Sequence, residues 1–502
     1  MLEAMISGLQ QLFDPRALGL MLLGIMLGLF FGIVPGLGAI IGMALLIPFV
    51  FGMDPMMGCV LLLALYATVT TGGSIPAVMF GVPGTEQNAA TIIDGYPMAN
   101  RGEAGRGVAA ALTASASGGV IGAAVLAGLI PVLRPVAIAF RPPEIFMLVM
   151  FGITLIALLS GKNVLKGLIA GCFGLALSMV GEDMHTGVVR FAFGLLFVWD
   201  GISLIAVLVG IFAIAEMIDL GVKGGAIAKL ARQEAGTYKF GQVFEGIGDV
   251  FHHFWLTFRT AIIGCFIGII PGLGGVVASW FCYGHTVQTE KNKENFGKGD
   301  VRGVIGPEAA NNSKEGGSLL PTVAFGIPGS SAMAILLGAF LVLGVIPGPA
   351  MLAEHLDLVW AFVWILVIAN IVGAMIMIGL APYMAKVTFL RGTLIIPIAI
   401  IMALIGSFLA ERRWEDLVVA FLFGILGYFM KRYDYPRPPL ALGFVLGGLA
   451  ELNLTRALDL WGLAFIGRPI TLVLLILTCL SALVPVLQWY WGKRRQDEAA
   501  RI

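Results

Sequence analysis

The sequence predicts an all-α polytopic membrane protein of roughly 10–12 membrane segments, some of them broken or re-entrant, arranged as two inverted-topology repeats. Three observations carry this prediction. Hydrophobic residues make up 59% of the 502 residues and charged residues 12%, against about 25% charged in a soluble domain; so little charge cannot cover an aqueous surface. Apolar runs of about 20 residues, enough to cross a hydrocarbon core of about 30 Å, recur from end to end. Two long regions are as apolar as these runs yet repeatedly broken by Gly and Pro, and they resemble one another. The 68 glycines and 24 prolines suit membrane helices, where both are commoner than in soluble ones. The high apolar fraction excludes a disordered or collagen-like chain.

Residues 1–11 carry no basic residue ahead of the apolar run and no small-x-small cleavage site, so they read as an amphipathic segment on the membrane surface rather than a cleaved signal. The stretch 17–93 is the first broken region. Residues 107–133 are rich in small residues and long enough to cross with tilt, and simple spans follow at 143–161, 165–180 and 202–217. The second broken region is 259–345, followed by simple spans at 358–380, 395–409, 417–430 and 471–487. The organisation is therefore a first transmembrane repeat over 1–220, a cytoplasmic linker over 221–258, a second repeat over 259–490 and a cytoplasmic tail over 491–502.

The broken regions share three motifs in the same order. GIVPGLG at 32–38 recurs as GIIPGLG at 268–274; Gly72-Gly73-Ser74 recurs as Gly316-Gly317-Ser318; PAVMFGVPG at 76–84 recurs as PTVAFGIPG at 321–329, followed by Thr85 and Ser330. Such ordered recurrence marks an internal duplication. Basic residues orient it. Lys223, Lys229, Arg232 and Lys239 place the linker in the cytoplasm, as Lys493, Arg494 and Arg495 place the tail. Walking back from the linker, Lys162, Lys166, Arg101 and Arg106 fall cytoplasmic, whereas the matching loop 346–357 of the second half carries no Lys or Arg and falls periplasmic. The halves then point opposite ways; Arg412 and Arg413, left periplasmic by this walk, are the exception.

Inverted repeats with helices interrupted at corresponding positions point to a secondary-transport site. Irregular backbone survives at membrane depth only inside protein or beside a water-filled cavity. Breaks expose carbonyls that ligate a bare cation and helix N-terminal amides that attract a carboxylate. The Pro-Gly-Thr and Pro-Gly-Ser ends are each suited to opening a helix, at Thr85 and at Ser330. The expected solute-binding residues are Gly84, Thr85, Gln87, Asn88, Gly329, Ser330 and Ser331. Those expected at a cation are Gly36, Gly38, Gly272 and Gly274 at the breaks, with Asn311, Asn312 and Ser318 beside an unwound Gly316-Gly317. With few fixed cations in this core, the field on an anion would come from helix ends and hydroxyl or amide donors. The plainer alternative is that the glycines only let helices pack closely; duplication in register argues against it.

Lys314 and Glu315 lie either at depth, where ionisable groups are functional, or at the wet end of a helix. Asp94, before Gly95-Tyr96-Pro97, reads as a turn or cap residue. His285 is the histidine nearest the proposed core and a candidate for proton coupling; His252 and His253 lie at the surface. Cys59, Cys172, Cys265, Cys282 and Cys479 are scattered, without metal-type spacing, and read as packing residues. The net charge of +1 gives no pull towards nucleic acid. No nucleophile–base spacing and no Gly-Lys-Thr phosphate loop is present. Hard oxygen ligands and few buried carboxylates favour sodium (Na+) over a proton (H+) as coupling ion; no other cofactor is expected.

Together GIVPGLG and GIIPGLG, GGSIP…GVPGT with IIDGYPMANRGEAGR, and PEAANNSKEGGSLLPTVAFGIPGSS with GVIPGP resemble the large membrane subunit of the tripartite tricarboxylate transporters. The resemblance covers essentially the whole chain. It implies a multi-pass subunit of the bacterial inner membrane that imports a tri- or dicarboxylate, or a related small organic anion, driven by an ion gradient. It also implies two protein partners, a small membrane subunit and a periplasmic solute-binding protein. Many members carry Asn at the position of Gly81 and Tyr near Thr71, so the family name does not fix the solute. Rival readings are a channel-like permease and a membrane-embedded enzyme; the latter needs convergent acid–base or metal groups that the sequence does not display, and no enzymatic activity is expected.

Overall fold

A computed structural model describes residues 1–159, 164–183, 185–222, 238–389, 392–481 and 483. Lys162, Lys223, Lys229, Arg232, Lys493, Arg494, Arg495 and the tail 491–502, used above for orientation, lie outside the described residues. The chain is almost wholly helical. The first half runs through α1 (Leu2–Leu12), α2 (Pro15–Ile33), α3 (Gly38–Val50), α4 (Pro55–Phe80), a 3₁₀ turn (Glu86–Ala89), α5 (Ile92–Asn100), α6 (Ala104–Ile138), α7 (Pro142–Leu159), α8 (Val164–Ser178) and α9 (Leu204–Val222). The second runs through α10 (Gly241–His252), α11 (Phe254–Ile269), α12 (Gly274–Thr289), α13 (Val301–Phe325), α14 (Ser331–Val342), α15 (Pro349–Glu354), α16 (Leu356–Met384), α17 (Gly392–Glu411), α18 (Glu415–Arg432), α19 (Arg437–Trp461) and α20 (Pro469–Ser481). Among the described residues the only strands are the two-residue pair Gly181–Glu182 and Val189–Arg190, antiparallel between α8 and α9. Among the described residues six helices are long and apolar enough to cross a membrane, or seven when α10 and α11, bent by 71°, count as one; the shorter apolar helices α3, α8 and α14 lie between them.

Local chemistry sets these boundaries. Asp14 and Asp54 cap α2 and α4, each followed by Pro at the first helical position, where the missing N–H is no loss. Asp300 caps α13 through the Arg302 amide. Helices α4 and α13 both stop at a left-handed glycine, Gly81 (φ 65°) and Gly326 (φ 67°), as helix C-termini commonly do.

The duplication is visible in the packing. Helix α2 lies on α4 through Gly24, Gly28 and Gly32, where an added Cβ would run into the carbonyls of Leu61, Leu65 and Val69. Helix α11 lies on α13 the same way, Gly264 against Ala310 and Gly268 against the Lys314 carbonyl. Surface helix α1 crosses the start of α16, where Trp364 Nε1 donates to the Met5 carbonyl; α10 crosses the start of α6, where Arg106 pairs with Asp249. Helix α6 packs on α13 and its counterpart α16 on α4; α8 packs on α19, and α18 on α9. Each repeat thus completes the other. The counterparts α4 and α13 run antiparallel: Ser74 meets Glu308, while Thr70, earlier on α4, meets Asn312 and Glu315, later on α13. The second half of the stretch read as linker is helical, forming α10 and the first turn of α11.

Candidate functional site

Four interruptions build the site. In the first PGLG turn Gly36 (φ 87°) and Gly38 (φ 64°) are left-handed, and in the second Gly272 (φ 84°) and Gly274 (φ 66°); side-chain-bearing residues resist that backbone, so α2 and α11 stop there and α3 and α12 start afresh. The Pro-Gly segments press onto the same crossings. A Cβ on Gly84 would meet the Gly32 carbonyl and lie 2.5 Å from Gly73 Cα; one on Gly329 would lie 2.5 Å from Ser318 Cα and 2.8 Å from the Gly268 carbonyl. Gly84 N–H donates to the Gly73 carbonyl (3.3 Å) and Gly272 N–H to the Gly329 carbonyl (3.1 Å).

These turns and segments line one cavity of about 500 Å³, within the range of small-molecule sites. Gly36, Gly38, Gly84, Thr85, Gln87, Gly272, Gly274, Ser330 and Ser331, named from sequence for two different ligands, all line it. Gly329 lies just behind Ser330. The two starts are not alike, however. Ser330 opens a regular helix, its Oγ accepting from the Met333 amide at 3.3 Å. Thr85 opens only the 3₁₀ turn Glu86–Ala89, and its hydroxyl donates to Asn88 Oδ1 at 2.6 Å. Asn88 does not line the cavity: fully buried, its amide nitrogen donates to the Thr70 carbonyl (3.0 Å), Ser74 Oγ (3.2 Å) and Glu308 Oε1 (3.2 Å).

The expected cation residues divide. Gly316-Gly317 is not unwound: both glycines lie inside continuous α13, where they admit the backbones of Gly122 and Cys265. Ser318 donates to the Lys314 carbonyl one turn back. Asn312 is engaged at both ends, accepting from Thr70 (2.5 Å) and donating to Thr71 (2.8 Å) and Asn370 (2.5 Å). Asn311, fully buried, leaves both amide atoms without a hydrogen-bond partner. His285 does not line the cavity, and Asp94 caps, as expected, though across the repeats: it accepts from the Gly299 and Asp300 amides and the Tyr283 hydroxyl. Among the described residues no three His, Cys, Asp or Glu side chains converge as a metal site.

The sequence left the charges open between two readings, and the structure takes the buried one. Lys314 and Glu315 are not at a wet helix end; both are 1% exposed. The Lys314 ammonium donates to the Tyr66 hydroxyl (2.9 Å) and sits 4.9 Å from that ring's centre. Its Cε lies 2.9 Å from where a Gly275 Cβ would be, and Gln87 Oε1, buried without a partner, lies against the same point. Lys314 therefore stands directly behind the cavity wall. Glu308, fully buried, accepts from Ser74 (2.9 Å), Thr91 (2.6 Å) and Asn88. At the cavity's edge Glu216 pairs with Arg437 (3.0 Å) and Lys431, and Lys431 also with Asp219 (2.7 Å). The expectations of few fixed cations and few buried carboxylates both fail, because these groups come from helices far apart in sequence. A faint signal existed: Ala215-Glu216 recurs as Ala450-Glu451, and Glu451 pairs with Arg190 (2.6 Å). That second pair lines a larger cavity, about 830 Å³, beside the strand pair Gly181–Glu182 and Val189–Arg190; no residue of the PGLG, Gly-Gly-Ser or Pro-Gly motifs reaches it, so the smaller cavity is the candidate site.

A duplicated, all-helical membrane bundle with interrupted helices meeting at one polar cavity belongs to the class of multi-pass transport proteins. The chain matches the tripartite tricarboxylate transporter TctA family over residues 18–442 and belongs to that family, the large subunit of those transporters. It is 31% identical over 474 residues, 94% of this chain and 93% of the other, to an uncharacterized 52.8 kDa protein in the TAR-I ttuC′ 3′ region of Agrobacterium vitis. It is 33% identical over 236 residues, 46% of this chain and 98% of the other, to an uncharacterized protein in the TAR-II ttuC′ 3′ region of the same organism. No solved structure matches it.

Proposed function

We propose that this subunit imports a small di- or tricarboxylate, or a related organic anion, across the bacterial inner membrane by ion-coupled secondary transport. The solute arrives on a periplasmic binding protein, and a small membrane subunit completes the complex. One observation carries the reading: both duplicated Pro-Gly segments and both PGLG turns, far apart in sequence, converge on one cavity. An anion there meets the N-terminus of α14, worth about half a positive charge, the Ser330 hydroxyl, the Thr85 hydroxyl once it turns from Asn88, and, at the edge, Lys431 and Arg437, which are paired there with Glu216. Lys314 adds a fixed charge behind the wall. The left-handed turn glycines open backbone to the solute, while the Asn311 amide, without a hydrogen bond of ordinary geometry, lies at the α4–α13 interface, where we place the coupling ion, sodium or a proton. The test is uptake of labelled carboxylates into proteoliposomes carrying the membrane subunits, with the binding protein added outside. Accumulation above the external concentration that needs both an ion gradient and the binding protein is expected. Equilibration without either points to a channel instead.

A further inference from the structure

Helix α13 presents a polar stripe to α4 at helical spacing: Glu308, then Asn311 and Asn312, then Glu315. Facing it on α4 are Tyr66, Thr70, Thr71 and Ser74. The stripe is buried throughout. When both carboxylates are ionised they stand against one ammonium, an excess of one negative charge where unbalanced charge is expensive. Glu308 is answered by three donors of the first repeat, Ser74, Asn88 and Thr91. The Lys314 ammonium is answered by the Tyr66 hydroxyl and ring. Glu315 is answered only by the neighbouring Lys314 charge at a distance, with no ion pair and no well-formed hydrogen bond. Its Oε1 is 3.5 Å from a Thr70 hydroxyl already 2.5 Å from Asn312 Oδ1, and its Oε2 has no partner. Among the described residues no ion pair reaches it. One turn earlier the Asn311 amide makes no hydrogen bond of ordinary geometry and leans only on Glu308, and residues four apart share a helix face.

We infer that Glu315, with Asn311 beside it, is the acceptor of the coupling cation: one positive charge, a proton on the carboxylate or a sodium ion between carboxylate and amide oxygen. The inference rests on the ion-coupled reading above. The acceptor is wired to the solute cavity, since Thr70 beside Glu315 receives Asn88 on its carbonyl, and Asn88 receives the Thr85 hydroxyl. Loading the site neutralises the excess charge and frees Thr70 from its poor contact. The charged group acting on Glu315 is Lys314, next to it on α13, and among the described residues Thr70 on α4 is its only hydrogen-bond contact; α16 presents neutral Asn370 to Asn312, and α6 and α11 pack the Gly122 and Cys265 backbones against Gly316 and Gly317.

Glu315→Gln removes the charge at nearly constant shape. In proteoliposomes with both partner proteins, initial uptake is measured against sodium at fixed pH, and against pH at fixed sodium. The wild type responds in one arm, which names the ion. Glu315→Gln is expected to flatten that response and to lower steady-state accumulation by about ten- to a hundredfold. Accumulation by Glu315→Gln with the wild-type response overturns the inference. If that variant does not reach the membrane, Glu315→Asp decides: a shifted cation midpoint supports the assignment and an unshifted one overturns it. A wild type that responds in neither arm rejects the ion-coupled reading itself.

Discussion

Ser330 and Thr85 hold equivalent places in the two repeats yet use their hydroxyls differently, one capping a helix and one bonding Asn88. Losing a hydrogen bond to a charged ligand costs about 1.5–3 kcal/mol, so Ser330→Ala and Thr85→Ala are each expected to weaken apparent solute affinity roughly ten- to hundredfold at unchanged membrane content. Uptake kinetics with immunoblotting of the membrane fraction measure both; wild-type kinetics in the double variant would show that the segments serve packing alone. These positions were legible because duplication marks them twice. The burial of Lys314 and Glu315 was legible only as one of two alternatives. Their surroundings, Tyr66 and Thr70, come from more than 200 residues away, and a single sequence does not tell which face of a polar helix a partner covers.

Among the elements, the helix starts at Asp14-Pro15, Asp54-Pro55 and Asp300 carry cap signals that the sequence reading did not draw on. The continuity of α13 was not legible, because Gly316-Gly317 looks like a break until α6 and α11 are seen pressed against it. Gly32 and Gly268 do the same work on α2 and α11. A Val at either position would push a carbonyl of α4 or α13 aside, and thermal unfolding in detergent should fall several degrees, as a loss of 1–3 kcal/mol, roughly, implies. The cap at Asp300 has a pH signature. Burial pushes its carboxyl up, but bonds from the Arg302 amide and guanidinium outweigh this and hold it below the ordinary carboxylate value. A depressed folded pKa stabilises above the unfolded value, about 3.9, and that contribution is lost as pH falls through the folded value. Asp300→Asn should therefore unfold earlier than wild type at neutral pH, with the gap closing in acid.

For the whole molecule, the inverted duplication was read from motif order and basic residues, and the antiparallel meeting of α4 and α13 agrees with it. The number of spans was harder to read, because half-length helices such as α3 and α14 are too short to count as crossings. Asn100 and Glu354, both exposed, end the counterpart helices α5 and α15. Cysteines there, in a background without native cysteine, should be labelled by an impermeant reagent from the cytoplasm and the periplasm respectively; labelling of both from one side would contradict the inversion. The central claim is that the duplicated Pro-Gly segments enclose the solute. The most direct measurement is solute protection of Thr85→Cys and Ser331→Cys against a small thiol reagent, with Thr455→Cys in the larger cavity as reference. Slower labelling of the first two in the presence of a transported carboxylate, with the third unaffected, is the predicted result; protection of Thr455→Cys alone, or of none, would contradict it.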